Sequence, residues 1–345
     1  TASQALAVLA RTWLVQNSPI NKGCYATIDD SKAQRVLASP PSKAALQAAL
    51  WTQDLFMTGQ AVRYHQNTQK PAVFSWQSAV EYSKQNPKAS FDTLLLKTYP
   101  QPALSDLPNY YESEDYISHT DSKRSLFEKV YHFIKRKAIR DKVSLIDYWS
   151  GEKGSVLDIG SGTGDFLAEA KQQNWKAVGI EPSDKAKALA KQKGICIIDT
   201  YPELEDHFFD VITMWHVLEH VPDLEFQIKE LKRLLKPDGV IFIAVPNYKS
   251  YDAKYYGKFW AAYDVPRHLW HFSKTAMEKL FAQENLKLKK VQPMWYDSFY
   301  VSLLSEKYKT GKMNPFKAFW IGLISNLKGK KSLEYSSHIY IFKNS

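Results

Sequence analysis

Three glycines alternate with other residues in the stretch Asp158-Ile-Gly160-Ser-Gly162-Thr-Gly164. Glycines at this spacing permit a tight turn and let a ligand approach the backbone closely. A segment that predicts a strand precedes this loop and one that predicts a helix follows it, so the first amides of the helix face the ligand. Glu181, at the tip of the next predicted strand, adds a carboxylate that can accept both hydroxyls of a ribose. Together these residues predict a site for a nucleotide-like ligand.

The charge and spacing of the loop separate two kinds of ligand. A dinucleotide site has the pattern G-x-G-x-x-G, whereas Asp165 stands here where the third glycine would fall. Asp158 would repel the anionic pyrophosphate of NAD, but it would attract the ammonium and sulfonium groups of S-adenosylmethionine. The loop therefore predicts S-adenosylmethionine as the cofactor and disfavours NAD.

The segment His216-Val-Leu-Glu219-His220 has the spacing of the inverted zinc-protease signature. On a helix its two histidines would share one face, as zinc ligation requires. However, the segment begins at the end of a predicted strand, Pro222 follows it closely, and the sequence offers no third ligand. We therefore predict no metal site. Instead, we expect His216 to face the cofactor pocket, as a candidate catalytic residue, and Glu219 and His220 to make local hydrogen bonds.

Aromatic, histidine and arginine side chains are concentrated between residues 260 and 272. This stretch follows the fifth predicted strand and lies at the carboxyl end of the sheet, where α/β proteins bind their ligands. Methyl transfer needs alignment of the reacting groups, and a base helps when the acceptor is a hydroxyl. We expect His268 to be that base or to contact the acceptor, and Arg267 to bind a carboxylate or phosphate. Packing of this loop on the final helix is the alternative.

Short apolar strands alternate with helices from residue 154 onward, which indicates parallel strands covered on both faces. The expected strands are 155–159, 176–180, 195–198, 209–215 and 240–245, followed by 286–294 and 335–342 as an antiparallel edge pair. The expected helices are 120–142, 163–173, 182–193, 223–235 and 273–283. The sequence thus predicts an α/β fold with a Rossmann-like, seven-stranded, mostly parallel sheet. Cys196 is expected in its core.

Residues 155–247 resemble the class I S-adenosylmethionine-dependent methyltransferases, especially those related to ubiquinone- and menaquinone-biosynthesis enzymes. The resemblance rests on the glycine loop, on Phe209-Asp-Val-Ile, on His216-Val-Leu-Glu-His-Val-Pro-Asp, on Leu234-Leu-Lys-Pro-Asp-Gly and on Ala244-Val-Pro-Asn. It extends upstream to the segment 110–119 and downstream to 335–340. The resemblance implies an enzyme that methylates a small or medium organic acceptor at oxygen or carbon.

The resemblance also implies roles for individual residues. Those that would line the methionine part and hold the ribose are Asp158, Gly160, Gly162 and Glu181. Asp199 and Thr200 fall where the adenine is met. The other residues of the predicted cofactor site are Ser161, Gly164, Pro182 and His216, with Tyr116 and His119 closing the pocket from the N-terminal side.

The first part of the chain has a different character. Residues 1–91 include Ala/Leu-rich helical stretches, and three prolines between 100 and 108 mark a linker. We expect a separate, α-rich N-terminal segment at 1–91 and a methyltransferase domain at 92–345, with its core at 150–247 and a substrate-side region at 248–345. Residues 5–13 and 74–76 weakly resemble the sporulation-protein-D/amidase-enhancer family. Because that family's acidic catalytic residue would lie before Thr1, we expect an interaction or remnant domain.

The net charge of +10 includes lysine and arginine clusters at 123–124, 135–137, 289–290 and 328–331. Such clusters attract phosphates, but solvated helix faces commonly contain them, so nucleic acid is a disfavoured partner. An RNA methyltransferase and a non-catalytic, S-adenosylmethionine-binding or wall-associated fusion remain the alternatives. The sequence does not address the oligomeric state.

Residues 314–327 combine a broad apolar face with flanking lysines. They predict either a helix that packs as a lid on residues 296–304 or an interfacial helix that serves a lipid-like substrate at a membrane surface. Packing is the favoured reading. The chain has no run of eighteen apolar residues, and we expect a cytoplasmic protein.

Overall fold

The computed structural model describes residues 96–97 and 126–345. Its strands are β1 (Leu96–Lys97), β2 (Ser155–Ile159), β3 (Lys176–Ile180), β4 (Cys196–Ile198), β5 (Phe209–Trp215), β6 (Leu235–Pro246), β7 (Trp270–His271), β8 (Leu286–Pro293) and β9 (Ser337–Asn344). Its helices are α1 (Leu126–Ser150), α2 (Asp165–Gln172), α3 (Asp184–Gln192), α4 (Leu224–Leu234), α5 (Tyr251–Tyr256), α6 (Lys274–Ala282), α7 (Asp297–Thr310) and α8 (Pro315–Ser332). The predicted N-terminal segment lies outside the described residues.

Seven of these strands form one sheet in the order β4-β3-β2-β5-β6-β9-β8. The first five strands in this order are parallel to one another, whereas β9 is antiparallel to both β6 and β8. This arrangement confirms the predicted mostly parallel sheet with its antiparallel edge pair. The strand order reverses between β2 and β5, and in such sheets the crevice at the carboxyl ends of these two strands is the usual ligand site.

Alternate residues of each central strand pack on opposite faces of the sheet. In β2, Leu157 joins an apolar cluster that includes Leu231 of α4 and Phe281 of α6. Its neighbour Val156 joins a second cluster with Ile146 of α1 and Leu167 of α2. Both faces are therefore covered, which explains why the central strands are almost continuously apolar.

Polar side chains at their N-caps begin several of the helices. Asp223 Oδ1 accepts a hydrogen bond of 3.0 Å from the Phe226 amide at the start of α4, and Ser273 Oγ accepts one of 3.2 Å from Ala276 at the start of α6. Such caps satisfy amides that have no partner within the helix. These two starts agree with the sequence prediction to within one residue.

Three local predictions were wrong, and one of them is the start of β6, which begins at Leu235 instead of Val240. Helix α1 continues to Ser150 instead of ending near Lys142, because Val143 and Ile146 extend its apolar face and are fully buried against the sheet. Cys196 is exposed instead of lying in the core. It belongs to β4, a short edge strand that pairs only with β3.

Helices α7 and α8 follow β8 in the chain and pack on each other. A Cβ atom on Gly322 of α8 would lie 2.8 Å from the Phe299 ring of α7, so glycine permits the close approach. This contact agrees with the predicted packing of α8 on residues 296–304, and a role as a lid stays a prediction. The outer face of α8 leaves Phe316, Phe319 and Trp320 between 53 and 82 % exposed. No described helix is both long and apolar enough to cross a lipid bilayer.

Candidate active site

The glycine loop turns tightly between β2 and α2. Gly160, Gly162 and Gly164 have φ angles of 72°, 55° and 74°, in the left-handed region that other residues rarely adopt. The amides of Gly160 and Ser161 donate to the Ile180 carbonyl oxygen at 2.8 and 3.0 Å, which ties the loop to the end of β3. A Cβ atom on Gly162 would meet no heavy atom of the described residues within 4 Å. The loop therefore presents open backbone surface to a ligand.

Asp158 is buried at the end of β2, with 2 % of its surface exposed. It faces Thr213 across the β2–β5 pair, and its Oδ1 accepts a hydrogen bond of 2.6 Å from the Thr213 hydroxyl. Burial raises the pKa of Asp158 to about 7, and the Thr213 hydrogen bond and the positive charge of Lys142 offset this effect only in part. A cationic ligand would stabilise this buried carboxylate.

Glu181 follows β3, as predicted, and is also buried. Its Oε2 accepts a hydrogen bond of 2.8 Å from the Gly162 amide, and its Oε1 accepts one of 2.9 Å from the Ser183 amide. These bonds fix the carboxylate beside the glycine loop. Each oxygen retains a second lone pair, so the carboxylate can still accept hydrogen bonds from ligand hydroxyls.

Helix α1 brings a positive charge to the same region. The Lys142 Nζ lies 4.4 Å from the centre of the Trp215 ring, at the end of β5. Burial lowers the pKa of Lys142, while the nearby carboxylates of Asp297 and Asp158 oppose that change. The site thus combines the carboxylates of Asp158 and Asp297 with the basic side chain of Lys142.

His216 stands directly after β5 with a φ of 59°, a strained conformation for a residue with a side chain. Its Nε2 lies 2.9 Å from Asp297 Oδ2 at the start of α7, and its Nδ1 lies 3.4 Å from Glu219 Oε1. Burial opposes protonation, but these two carboxylates outweigh it and raise the pKa of His216 to about 10. His216 is therefore a charged imidazolium at neutral pH, which suits binding and positioning better than proton abstraction.

His268 is buried, with 8 % of its surface exposed. Its Nδ1 lies 2.9 Å from the Ala262 carbonyl oxygen, and its ring centre is 4.6 Å from that of His220. Burial and the neighbouring histidines hold the pKa of His268 well below its usual value. Arg267 forms an ion pair of 2.5 Å with Asp264. Its guanidinium is therefore engaged within its own loop, and the roles given to these two residues stay predictions.

The other predicted site residues lie further out. Asp199 is 67 % exposed and pairs with Lys187 of α3 at 2.8 Å, while the Thr200 hydroxyl donates to Glu203 Oε1 at 2.8 Å. Pro182 is exposed beside Glu181. The assignment of Asp199 and Thr200 to an adenine stays a prediction. The predicted pocket residues Tyr116 and His119 lie outside the described part of the chain.

Three residues of this site were missed by the sequence reasoning. Thr213 was readable in principle, because it is a polar residue between Ile212 and Met214 in an apolar strand. Lys142 and Asp297 carried no comparable signal. Asp297 is distant in sequence from the glycine loop, whereas Lys142 lies on the helix just before β2, and only the packing of α1 and α7 brings both residues to the loop.

Several of the basic residues are compensated within the protein. Lys135 pairs with Asp165 at 2.7 Å, Lys137 pairs with Asp141 at 2.9 Å, and the Lys328 Nζ lies 3.8 Å from the centre of the Tyr251 ring. These contacts account for part of the basic clusters without a nucleic acid.

Residues 130–291 match the family model described as a methyltransferase domain. The chain is 37 % identical over 106 residues to the ubiquinone biosynthesis O-methyltransferase of Actinobacillus pleuropneumoniae, a match that covers 27 % of this chain and 45 % of that protein. It is 30 % identical over 141 residues to the demethylmenaquinone methyltransferase of Bacillus cereus, covering 37 % and 59 %. It is also 36 % identical over 104 residues to the uncharacterized protein YfaQ of Escherichia coli, covering 30 % and 19 %. The chain thus spans less than two thirds of the length of each of these relatives.

The sheet order and the glycine loop define a Rossmann-like nucleotide-binding α/β unit. Residues 130–291, which match the methyltransferase-domain model, contain most of this unit, in agreement with the predicted likeness to the class I S-adenosylmethionine-dependent methyltransferases. S-adenosylmethionine is its cofactor.

The residues present fit this cofactor. The open face of Gly162 admits a ligand, and the buried Ser161 hydroxyl makes no hydrogen bond with any of the described residues. Asp158 is a buried carboxylate suited to a cationic amino group, and Glu181 can accept hydroxyl hydrogen bonds. An anionic pyrophosphate would not fit beside Asp158.

Proposed function

We propose that the protein transfers a methyl group from S-adenosylmethionine to an oxygen atom of a small or medium organic acceptor, with transfer to carbon as the second candidate. The observation that carries this proposal is the buried Asp158 carboxylate, two residues before a glycine loop whose Gly162 borders open space. The relatives named as ubiquinone biosynthesis O-methyltransferases support oxygen, and those named as demethylmenaquinone methyltransferases support a small organic acceptor.

The bound cofactor supplies an activated methyl group on a sulfonium, so the protein needs mainly to align the acceptor and exclude water. Asp158 would bind the amino group, and Glu181 would accept hydrogen bonds from ribose hydroxyls. His216, held by Asp297, would offer a fixed, protonated donor at the carboxyl edge of the sheet. The site therefore provides binding and orientation from residues of α7, β2 and the turns after β3 and β5.

Methyl transfer can be measured with S-adenosylmethionine labelled in the methyl group and a panel of simple phenols, catechols and hydroxyquinones. We expect the full chain to label at least one of them at about a hundred times the rate of the Gly162→Arg variant or more, because that variant cannot hold the cofactor. A structured RNA serves as the competing acceptor. Label in RNA alone would establish the RNA methyltransferase instead, and S-adenosylhomocysteine binding without any turnover would establish a non-catalytic protein.

The outer face of α8 supports an acceptor that is met at a lipid surface. Phe316, Phe319 and Trp320 are exposed there, and they are flanked by Lys312 and by Lys317, whose Nζ also pairs with Glu306 at 3.0 Å. Aromatic side chains beside lysines are the combination that binds the interface of an anionic membrane. We propose that this face rests on anionic lipid while α8 remains packed on α7.

Sedimentation with vesicles of phosphatidylcholine and phosphatidylglycerol can test this lipid contact. Replacing Phe319 and Trp320 together by alanine should lower the partition constant at least about tenfold, because two aromatic side chains no longer enter the interface. The matched control is Phe226→Ala on α4, where the phenylalanine is 51 % exposed but lies on another helix. Equal partitioning of both variants would remove the lipid-surface proposal and leave the methyltransferase proposal intact.

We further propose that the methyltransferase unit includes the chain from residue 92, with 1–91 as a separate segment. In support, β1 pairs with β7, with Leu96 opposite His271, so residues upstream of the family match contact the substrate-side region. The cytoplasmic location stays a prediction.

A further inference from the structure

We propose that Glu219, His220 and His268 together bind one divalent cation. Each offers a ligand atom, and these three atoms lie within 4.8 Å of one another. Two histidines and a carboxylate form a ligand set that suits zinc, manganese or iron in the divalent state, whereas calcium and magnesium prefer oxygen ligands alone. The sequence argument against a metal was that the segment 216–220 has no third ligand, and the fold supplies one from the loop before β7.

The backbone joins the two segments that carry these residues. Glu219 and His220 lie in a 3-10 turn, Leu218–His220, that follows β5, and the Glu219 carbonyl oxygen accepts a hydrogen bond of 2.7 Å from the Leu269 amide. His268 precedes Leu269 in the chain. The hydrogen bond thus holds His268 opposite the turn without any help from a metal, so the ligands are arranged in advance.

Both histidines are oriented as metal ligands usually are. The His220 Nδ1 lies 3.1 Å from the Arg267 carbonyl oxygen, and the His268 Nδ1 lies 2.9 Å from that of Ala262. A carbonyl oxygen only accepts, so each Nδ1 donates its proton and the Nε2 is the ring nitrogen left to ligate; the His268 Nε2 also lies 3.8 Å from Asp264 Oδ2. A hydrogen bond from the other ring nitrogen to a carbonyl is the typical support of a metal-bound histidine.

The Glu219 carboxylate provides the second, independent observation. Its side chain is 1 % exposed, and neither oxygen makes a hydrogen bond with a described residue. Its charged neighbour His216 is 3.4 Å away and is already bound to Asp297 at 2.9 Å. A buried carboxylate whose charged neighbour is shared with another carboxylate is costly, and a cation between it and the two histidines would reduce that cost.

The distances require a small contraction. Ligand atoms that surround a zinc ion at about 2.1 Å are separated by roughly 3.4 Å, so the three side chains would move together by about 1 Å. Three protein ligands leave further positions open on the ion. An acceptor oxygen would occupy one of them; this last assignment rests on the proposed methyl transfer, whereas the cation site itself does not.

Cobalt(II) is a direct probe, because its visible absorption reports its coordination. We expect the full chain, freed of metal by chelation, to bind one equivalent of cobalt with a four- or five-coordinate spectrum and to release it to zinc. Glu219→Gln and His268→Gln should each weaken cobalt binding by about a hundredfold or more, since each removes a ligand. The matched control is His207→Gln. His207 also places its Nδ1 2.9 Å from a carbonyl oxygen, that of Leu235, but it is exposed and lies outside the cluster.

Calorimetry with S-adenosylhomocysteine separates this proposal from the proposed function. Loss of cobalt binding with unchanged S-adenosylhomocysteine affinity in Glu219→Gln supports the site and shows that the variant is folded. If that variant does not fold, cobalt binding and S-adenosylhomocysteine affinity are measured on His220→Gln instead, and the same outcomes apply. No saturable cobalt spectrum, or equal spectra in Glu219→Gln and His207→Gln, overturns the cation site even if methyl transfer is found. A cobalt site in a protein without any turnover overturns the methyl-transfer proposal instead.

Discussion

Replacing Gly162 by arginine is expected to lower the affinity for S-adenosylhomocysteine by more than about a hundredfold. The substitution strains the backbone, and its side chain also fills space that the ligand needs. Gly162 has a φ of 55°, and its missing side chain borders open space next to the Glu181 carboxylate that its own amide binds. An arginine would enter the volume left for the ligand and would draw Glu181 into an ion pair. Calorimetric titration of the full chain measures the loss.

Gly151→Arg is the matched control for this variant. Gly151 also has a left-handed φ, of 78°, and a Cβ atom on it would likewise meet no described heavy atom within 4 Å. It lies at the end of α1, before β2, and so at the opposite end of the sheet from the glycine loop. Gly151→Arg should therefore introduce the same backbone strain but leave the affinity for S-adenosylhomocysteine unchanged. Equal affinities of both variants and the unchanged protein would refute the assignment of the cofactor to this loop.

The second large effect is a dependence of S-adenosylhomocysteine binding on pH that comes from Asp158. Burial holds the pKa of Asp158 at about 7 in the protein without ligand, so below pH 7 the carboxyl must lose its proton before it can bind an ammonium group. We expect the affinity to fall about tenfold between pH 8 and pH 6, and binding at pH 6 to release close to one proton. Calorimetry in two buffers of different ionisation enthalpy measures both quantities.

The same pKa determines the sign of the effect on stability. The folded protein without ligand holds the Asp158 proton up to about pH 7, whereas the unfolded chain releases it near the ordinary value of 3.8. The folded state therefore binds more protons between these values, and its free energy of unfolding falls as the pH rises through this range. Bound S-adenosylhomocysteine should weaken this trend, because its ammonium group lowers the pKa of Asp158.

Asp158→Asn should remove this pH dependence and weaken binding at pH 8 by about tenfold to a hundredfold, because the amide cannot neutralise the ammonium group. The other charged groups that influence Asp158, Lys142 of α1 and Glu181 after β3, are unchanged in this variant. Asp184→Asn is the control, since that aspartate is 95 % exposed at the start of α3. A pH profile of the Asp158→Asn protein that matches the unchanged one would show that another group titrates.

Most of the sheet could be predicted because its signals are local. The bounds of β2, β3 and β5 were read correctly from runs of apolar residues, and the predicted helix starts at Asp223 and Ser273 lie within one residue of the observed ones. The end of α1 could not be read in the same way. Its last two turns are helical because Val143 and Ile146 pack on the sheet, and that packing is not visible in the local pattern.

The sequence alone determined the cofactor side of the site. Asp158, the glycines and Glu181 belong to two neighbouring strand ends, so one parallel strand pair is enough to bring them together. Only the tertiary structure determined which side chains surround these residues and interact with them. The hydrogen bond between Thr213 and Asp158 depends on the register of β2 with β5, and the ion pair between His216 and Asp297 depends on the placement of α7. The proximity of His268 to Glu219 depends on the backbone hydrogen bond from Leu269. These contacts join residues distant in sequence, and their geometry exists only once the sheet has formed and the helices have packed on it.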